Sequence, residues 1–352
     1  MTFEVAPAGS RAFDAISLGE VMLRLDPGEG RIRRARSFEV WEGGGEYNAI
    51  RALRAVFGLR TSVLTSLVDN EIGRLVASLI AANGVDTSHV LWRDHDGTGK
   101  TSRNALNFVE RGFGVRGPLG VSDRANSATS QLTSDELDLP NALRETRWLH
   151  TGGVFCAIGP HTAEVASDAI DVARSHGAGT SFDLNFRPSL WPDLEAASRV
   201  LSGIASSVDL LFAGERDLTQ LLGVDSGPHD DFDALAAATF HAMPKLSVLA
   251  TTRRTEHAAG RHDWGASVAF RDQATVTVPG FRGLDVLDRI GGGDAFAAGL
   301  LWGILTDRSI DEAAQVGVAA GALTMTTPGD GSQASLSEVL ALASGVAPAT
   351  VR

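Results

Sequence analysis

Residues 287–305, LDRIGGGDAFAAGLLWGIL, place three glycines and an aspartate directly before an apolar run. Backbone N–H groups without neighbouring side chains can approach a ligand closely, and the free N–H groups at a helix start favour an anion. A carboxylate beside an anion costs electrostatic energy, so Asp294 needs a chemical reason for its position. Taking a proton from a hydroxyl that attacks phosphorus would supply one. An ordinary first-turn residue after a tight glycine turn is an equally weighted alternative.

The stretch EGGGEYNAIRAL, residues 42–53, is a second candidate site. Gly43 and Gly44 would bring the backbone close to a ligand, and the amide of Asn48 can both donate to and accept from sugar hydroxyls. Taken alone, a helix start with a surface asparagine is the commoner explanation of such a short motif.

The stretch SFDLNFRPSLWP, residues 181–192, is a third. Asp183, Asn185 and Arg187 alternate along a predicted strand end, so we expect their side chains to point the same way. Pairing of Arg187 with Asp183 is the structural alternative, and it explains Asn185 less well.

Alternating strands and helices must position these residues. Strands are predicted over 14–25, 60–68, 147–153, 179–185, 209–214 and 246–252, with helices over 48–58, 162–177 and 295–305. This rhythm predicts a mostly parallel α/β sheet covered by helices, with ligands beyond the carboxyl ends of its strands. Residues 29–42 and 101–132 lack helical periodicity and are interpreted as a small β lid. One domain is expected over residues 13–345.

The composition limits the class of protein. The chain has 352 residues, a net charge of −12 and 43% hydrophobic residues, as in soluble globular proteins. The charge argues against a nucleic-acid or membrane-surface binder. The single cysteine, Cys156, excludes an intrachain disulfide and fits a reducing compartment. The N-terminal MTFEVAPAGSRAF lacks the pattern of a signal peptide, so a cytoplasmic protein is expected.

The segment DRIGGGDAF resembles the D-T-x-G-A-G-D signature of the ribokinase-like (pfkB) carbohydrate kinases, in the D-R-x-G-G-G-D form typical of 2-keto-3-deoxygluconate kinases. The resemblance implies a ribokinase-like fold, with Asp294 as catalytic base and Gly291, Gly292 and Gly293 as an anion hole. Residues 42–53 are similar to the family's G-G-x-x-x-N motif, which implies that Gly43, Gly44 and Asn48 bind the sugar. The segment at 181–192 resembles D-x-N-x-R-x-x-L-W, which implies that Asp183 and Asn185 bind the substrate and that Arg187 lies over the phosphate path or the acid end of the substrate.

Three further segments resemble the family's nucleotide site, which implies ATP and Mg²⁺ as cofactors. LLFAGERDL stands where the family carries N-x-x-E, with Gly214 at the Asn position and Asp217 as the remaining acid near magnesium. ATTRRTEH and AAGALTMTTPGDG add the other candidates. The implied nucleotide-binding residues are Asp217, Thr251, Thr252, Arg253, Gly329 and Asp330. The metal ligands are otherwise undetermined. The resemblance also implies a possible K⁺ site near Asp288.

Four arginines occupy residues 101–124 of this acidic protein, and a solvated loop would be their ordinary explanation. However, SDRANSATSQL, residues 122–132, resembles the Y-x-R-x-x-S-A lid motif of keto-deoxy sugar acid kinases, with Ser122 at the tyrosine position. The resemblance implies that Arg124 anchors a carboxylate, since guanidinium binds carboxylates bidentately, with Arg103 as a further substrate ligand.

Together these motifs predict an ATP-dependent sugar kinase that phosphorylates the terminal hydroxyl of 2-keto-3-deoxygluconate or a related sugar acid. A kinase for a neutral sugar such as fructose or ribose, and a non-catalytic sugar-binding homologue, are the alternatives. No nucleic-acid or membrane partner is expected. We expect a homodimer in which the two copies pair through their lids.

Overall fold

The strands form two sheets of unequal size. The computed structural model describes residues 5–225, 227 and 231–346; the first four residues of the N-terminal segment considered above lie outside them. Along the chain the strands are β1 (Ala15–Leu18), β2 (Met22–Asp26), β3 (Glu39–Gly43), β4 (Thr61–Val68), β5 (Val90–Arg93), β6 (Leu106–Glu110), β7 (Leu119–Asp123), β8 (Trp148–Gly152), β9 (Gly179–Asp183), β10 (Leu210–Phe212), β11 (Val248–Ala258), β12 (Arg261–Phe270) and β13 (Val276–Asp285).

Most helices connect strands of the larger sheet. They are α1 (Gly45–Ala55), α2 (Glu71–Ala82), α3 (Leu139–Arg144), α4 (Gly153–Ala157), α5 (Thr162–Ser175), α6 (Leu194–Ala205), α7 (Glu215–Gln220), α8 (Phe232–Ala242), α9 (Gly292–Leu305), α10 (Ile310–Thr324) and α11 (Leu336–Ala343). No helix among the described residues is both long and apolar enough to cross a bilayer.

The larger sheet has the strand order β13-β12-β11-β10-β9-β8-β1-β4-β5. Its strands pair in parallel from β11 to β5, and β12 and β13 add an antiparallel edge. Parallel pairing requires crossover connections, which the helices supply. The mostly parallel α/β sheet expected from the sequence is therefore confirmed.

Helices cover both faces of this sheet. Along β10, Leu210 and Phe212 belong to one buried cluster, together with residues of α1, α9 and α10. Leu211 between them belongs to a second cluster, with residues of α5, α6 and α8. Successive side chains of a strand point to opposite faces, so the two clusters are the two sides of the sheet. This explains why the parallel strands are continuously apolar.

Helix α9 lies in the first of these clusters and is buried along nearly its whole length. Gly299 brings it close to α10, because an added Cβ there would lie 2.6 Å from the Cα of Gly317. Its apolar run therefore packs in the protein interior, and its first turn is fixed at the sheet edge.

The smaller sheet, here called the lid, has the order β3-β2-β6-β7. The sequence predicted one strand over 14–25, and this was wrong: the chain leaves the larger sheet after Leu18 and enters the lid at Met22. Gly19 lies at the break, where a Cβ would come within 2.6 Å of the Glu46 carboxylate. The expected lid segments overlap this sheet incompletely, since β2 was not among them and residues 127–130 are buried and hydrogen-bonded to β4.

Candidate active site

A cleft of about 740 Å³ lies between the lid and the carboxyl ends of the parallel strands. The predicted residues that line it are Gly44, Asn48, Arg124, Asp183, Asn185, Arg187, Asp288, Gly291, Gly293, Asp294 and Asp330. A second cavity, of about 630 Å³, lies beside α8 and the turn between β12 and β13, and none of the predicted residues line it.

The glycine run forms the N-terminus of α9. Gly291 is the N-cap, with a φ of +79°, and an added Cβ would lie 1.9 Å from the carbonyl oxygen of Asp330, so only glycine fits. A Cβ on Gly292 would meet Met325 at 2.9 Å, whereas one on Gly293 would meet nothing within 4 Å. The first N–H groups of a helix lack intrahelical acceptors. Here they stand at the cleft, which is the geometry that an anion site requires.

Asp294 lies in the first turn of α9 and lines the cleft. Its Oδ2 accepts a hydrogen bond of 2.7 Å from Nδ2 of Asn48, and it forms no ion pair within the described part of the chain. Burial raises its pKa well above the ordinary value, the Asn48 bond opposes the rise, and the carboxylates of Asp183, Asp330 and Glu46 add to it. An unpaired carboxylate of raised pKa in a cleft is suited to accept a proton.

The glycines before α1 allow close packing around Asn48. An added Cβ on Gly43 would lie 2.1 Å from a carboxylate oxygen of Asp330, and one on Gly44 would lie 2.0 Å from the backbone oxygen of Glu20. The N–H of Gly44 donates to Oδ1 of Asn48 at 3.3 Å, which orients the other end of that amide toward Asp294. Gly43 is thus a packing residue behind the cleft wall. Gly44 and Asn48, the other two predicted residues of this motif, line the cleft.

Asp183, Asn185 and Arg187 all line the cleft, but not through strand alternation as expected. Strand β9 ends at Asp183, and Asn185 adopts a left-handed φ of +32° that asparagine tolerates better than most residues. The N–H of Asn185 donates to Oδ1 of Asp183 at 3.1 Å. Arg187 forms no ion pair within the described residues, and its guanidinium donates only to the carbonyl of Phe186, at 3.5 Å.

Two further buried carboxyl groups share the electrostatics of the site. Burial raises the pKa of Asp183 to about 6. Burial also raises the pKa of Glu46, in α1, to about 7. A Cβ on Gly152 would come within 2.8 Å of the Glu46 carboxylate, so this side chain is tightly enclosed. Asp183 lines the cleft, whereas Glu46 does not and acts on the site through its charge.

The predicted nucleotide residues separate into groups. Asp217 lies in the first turn of α7. Burial raises its pKa, and the charge of Arg187 opposes the rise. Thr251 is buried, and its hydroxyl donates to the carbonyl of Ala213 at 2.6 Å, so it ties β11 to β10 and is not exposed to a nucleotide. Arg253 pairs with Glu215 at 3.3 Å outside the cleft.

Strand register explains the position of Arg253. Residues at i and i+2 of a strand share a face, so Thr252, Arg254 and Glu256 lie opposite to Arg253. The structure places Arg254, which the sequence analysis did not select, in the cleft wall. Two successive arginines carry no signal that distinguishes one face from the other.

A buried arginine, Arg24 of β2, is surrounded by three carboxylates. Its guanidinium lies 2.8 Å from Asp26 and 2.5 Å from both Asp288 and Asp330. Burial alone would lower its pKa, but Asp330 and Asp288 raise it. The predicted role of Asp288 toward K⁺ needs correction, because a guanidinium already occupies that carboxylate.

The C-terminal candidates also differ from expectation. Asp330 was predicted beside the nucleotide but pairs with Arg24 in the cleft wall, next to Gly43. Gly329 has a φ of +92°, and an added Cβ would lie 2.8 Å from the indole ring of Trp41 in the lid. This pair therefore joins the main domain to the lid.

The lid arginines have unequal positions. Arg124 lines the cleft, and its Nε and Nη2 donate to the buried Glu20 at 2.9 and 2.6 Å, while Ser127 donates to the other oxygen of Glu20. Arg103 pairs with Asp123 at 2.5 Å and is not among the residues that line the cleft, so its contact with substrate stays a prediction. Residue type and spacing alone could not show which arginine faces inward.

The sequence analysis missed four arginines of the site: Arg24, Arg111, Arg254 and Arg289. Arg111 lines the cleft and lies 3.2 Å from Asp26, and Arg289 lines the loop before α9. The R of DRIGGGD was the one available signal for Arg289. Among the described residues, no group of three or more His, Cys, Asp or Glu side chains is arranged to hold a metal ion.

Comparison with known proteins identifies the family to which this architecture belongs. A family model for the pfkB family carbohydrate kinases matches residues 13–337. The chain is 31% identical to the 2-dehydro-3-deoxygalactonokinase of Haloferax volcanii, over 90% of this chain and 92% of that protein. It is 29% identical to probable fructokinase-7 of Arabidopsis thaliana, over 89% and 87%. The 2-dehydro-3-deoxygluconokinase structure from Thermotoga maritima matches with a TM-score of 0.84 at 30% identity, over 94% of this chain and 99% of that chain. The fold is ribokinase-like, and the chain belongs to the pfkB family of carbohydrate kinases.

Proposed function

We propose that this kinase transfers the γ-phosphoryl group of ATP to the terminal hydroxyl of a 2-keto-3-deoxy sugar acid, with 2-keto-3-deoxygluconate as the first candidate. The observation that carries the proposal is the placement of Asp294, an unpaired carboxylate oriented by Asn48 at 2.7 Å beside the glycine-rich start of α9.

The reaction uses these groups in one displacement. The substrate hydroxyl oxygen attacks the γ-phosphorus, its proton passes to the carboxylate of Asp294, and the bond between phosphorus and the β,γ-bridging oxygen breaks to release ADP. The N–H groups at Gly291–Gly293 stabilise the negative charge on the transferring group, and α9 holds them in place before reaction. Catalysis of this type depends mainly on positioning and charge stabilisation.

Magnesium fits the site only with ligands from ATP. The described residues offer no dedicated cage, and Mg²⁺ commonly completes its shell with phosphates and water. Asp217, in the first turn of α7, would orient such a water. The ion would neutralise phosphate charge during transfer.

The substrate class rests on Arg124. Its Nε and Nη2 donate to Glu20, and its Nη1 makes no hydrogen bond within the described residues, so this nitrogen is the donor left for a substrate carboxylate. Two compared proteins bear the names of kinases for 2-dehydro-3-deoxy sugar acids, the same chemical class. Both observations support an acidic substrate.

A neutral-sugar kinase is the second candidate. The observation that favours it is the neutralisation of Arg124 by Glu20, together with the position of Arg103 outside the cleft. A fructokinase-like enzyme would need no carboxylate anchor.

A substrate screen distinguishes the two. ADP release is measured with MgATP and each of 2-keto-3-deoxygluconate, 2-keto-3-deoxygalactonate, gluconate, fructose and ribose, using wild type and Arg124→Gln. We expect the highest kcat/KM with a keto-deoxy acid and a large rise in its KM in Arg124→Gln. Arg103→Gln is the matched lid control and should leave KM unchanged. Preference for fructose, with no effect of Arg124→Gln, would contradict the proposal.

A further inference from the structure

Three arginines converge on the cleft from separate elements. Arg187 follows β9, Arg254 lies on β11 and Arg289 lies in the loop before α9, and all three line the cleft. We call them the arginine cluster.

A single carboxylate holds two members of the cluster. Arg254 Nη2 and Arg289 Nη1 lie 3.1 and 2.9 Å from the same oxygen, Oε1 of Glu256. Glu256 shares a face of β11 with Arg254, two residues away, and thereby orients both guanidinium groups. One carboxylate cannot neutralise two cations, so each keeps donors for another anion.

The cluster carries excess positive charge. Its three guanidinium groups share the single paired carboxylate of Glu256, and Arg187 has no ion-pair partner among the described residues, although the charges of Asp183 and Asp217 act on it at longer range. Burial lowers the pKa of Arg254, Glu256 opposes the fall, and the neighbouring cations Arg289 and Arg187 add to it.

The other arginines of the cleft differ in this respect. Arg111 lies 3.2 Å from Asp26, and Arg124 lies 2.6 Å from Glu20. Each therefore has a carboxylate partner within the described residues. The cations of the cleft that lack a carboxylate of their own lie in the arginine cluster, on the side of the glycine run.

Charge and place together indicate a phosphate. Arg289 is two residues before Gly291, so the cluster adjoins the free N–H groups of α9. A sugar carboxylate carries one negative charge, whereas a terminal phosphate carries about two near neutral pH and has more oxygens to accept from three guanidinium groups. Without such cations, the carboxylates of Asp183 and Asp294 would repel the phosphate.

We propose that Arg254 and Arg289, oriented by Glu256, act with Arg187 as a clamp on the γ-phosphoryl group of ATP. The inference rests on the proposed function for the nature of the donor. Guanidinium groups bind phosphate oxygens bidentately and stabilise charge that spreads over the oxygens during transfer. Glu256 is a positioning residue, which acts through the two arginines.

The test compares nucleotide binding among Arg187→Gln, Arg254→Gln, Arg289→Gln and wild type. Calorimetry in Mg²⁺ measures the Kd of ADP and of a non-hydrolysable β,γ-imido analogue of ATP, without sugar. We expect each variant to lose about 10- to 100-fold in affinity for the triphosphate analogue, and less for ADP. Arg254→Lys, which keeps the charge, should recover part of the loss. Arg289 is half-exposed, so its variant tests the inference even if another fails to fold.

Arg199→Gln is the control, because Arg199 of α6 is exposed, pairs with Glu195 and does not line the cleft. Its affinities should equal those of wild type. An equal or absent effect on ADP and the analogue in the cluster variants would overturn the clamp. So would a rise in sugar KM alone, which would assign the cluster to the substrate carboxylate. Failure to phosphorylate any sugar acid would refute the proposed function, but the binding result would still decide the clamp.

Discussion

Asp294→Asn separates the catalytic role of this carboxylate from its structural role. Asparagine keeps the shape of the side chain, and its amide oxygen can still accept from Nδ2 of Asn48, which lies 2.7 Å from Oδ2 in the wild type. It cannot take a proton from a hydroxyl. We expect turnover to fall by about two to four orders of magnitude, equivalent to about 3–5 kcal/mol of transition-state stabilisation, with the sugar KM near normal.

The same substitution should stabilise the protein. Burial and neighbouring carboxylates raise the folded-state pKa of Asp294 above its ordinary value of 3.8, so the folded state binds the proton more tightly than the unfolded state does. Each unit of such a shift costs about 1.4 kcal/mol once the pH exceeds the folded-state pKa. The cost is absent below the unfolded-state value. Asp294→Asn removes it, so the gain in Tm should appear at pH 8 and disappear toward pH 3.5.

The assay is ADP release at saturating substrates between pH 5 and 9, with calorimetric melting of the same samples. In the wild type, kcat should fall as the pH falls through the raised pKa of Asp294, because the protonated acid cannot act as base. Wild-type turnover in Asp294→Asn would refute the assignment of the base. A lower Tm of that variant at pH 8 would refute the electrostatic argument.

Four further substitutions test the surroundings of this residue. Glu46→Gln should raise Tm at pH 8 but not at pH 4, because burial raises the pKa of Glu46 to about 7. In the profile of kcat against pH, the fall on the acid side should also move to lower pH, since Glu46 raises the pKa of Asp294. Gly291→Ala should lower Tm strongly, because its Cβ would lie 1.9 Å from a backbone carbonyl oxygen at a φ of +79°. Gly293→Ala should keep its Tm and lose activity, since its Cβ enters open space at the anion site; equal Tm values for the two glycine variants would contradict this. Arg24→Met leaves Asp288 and Asp330 without their cation, while Asp26 keeps Arg111 at 3.2 Å. The loss should cost about 3–5 kcal/mol in the free energy of unfolding, measured by urea denaturation, and an unchanged urea midpoint would contradict the network.

The alternation of elements and the glycine-rich motifs were readable in the sequence. Continuous apolar runs such as 60–68 predict buried strands, and the apolar run after Asp294 predicts a buried helix, because hydrophobic pattern and helix-start chemistry are local properties. The positions of Asp294, Asn48 and Asp183 at a sheet edge follow from the same reasoning. These predictions depended on the type of each residue more than on its distant neighbours.

The pairing of charges could not be predicted in this way. Arg103 and Arg124 lie in one segment, yet one pairs with Asp123 outside the cleft and the other with Glu20 from a break between sheets. Arg253 and Arg254 differ only by strand parity, and the pairing of β11 decides which one enters the cleft.

The sequence by itself determined the class of fold, the glycine-rich helix start and the acid that stands at it. The tertiary structure alone decided which cations remain free to meet a ligand. A backbone preference is set by a few adjacent residues, whereas an ion pair such as that of Arg24 with Asp330 joins residues 306 positions apart. Coulomb energy depends on distance in space and on burial, and neither quantity is written in the order of the residues.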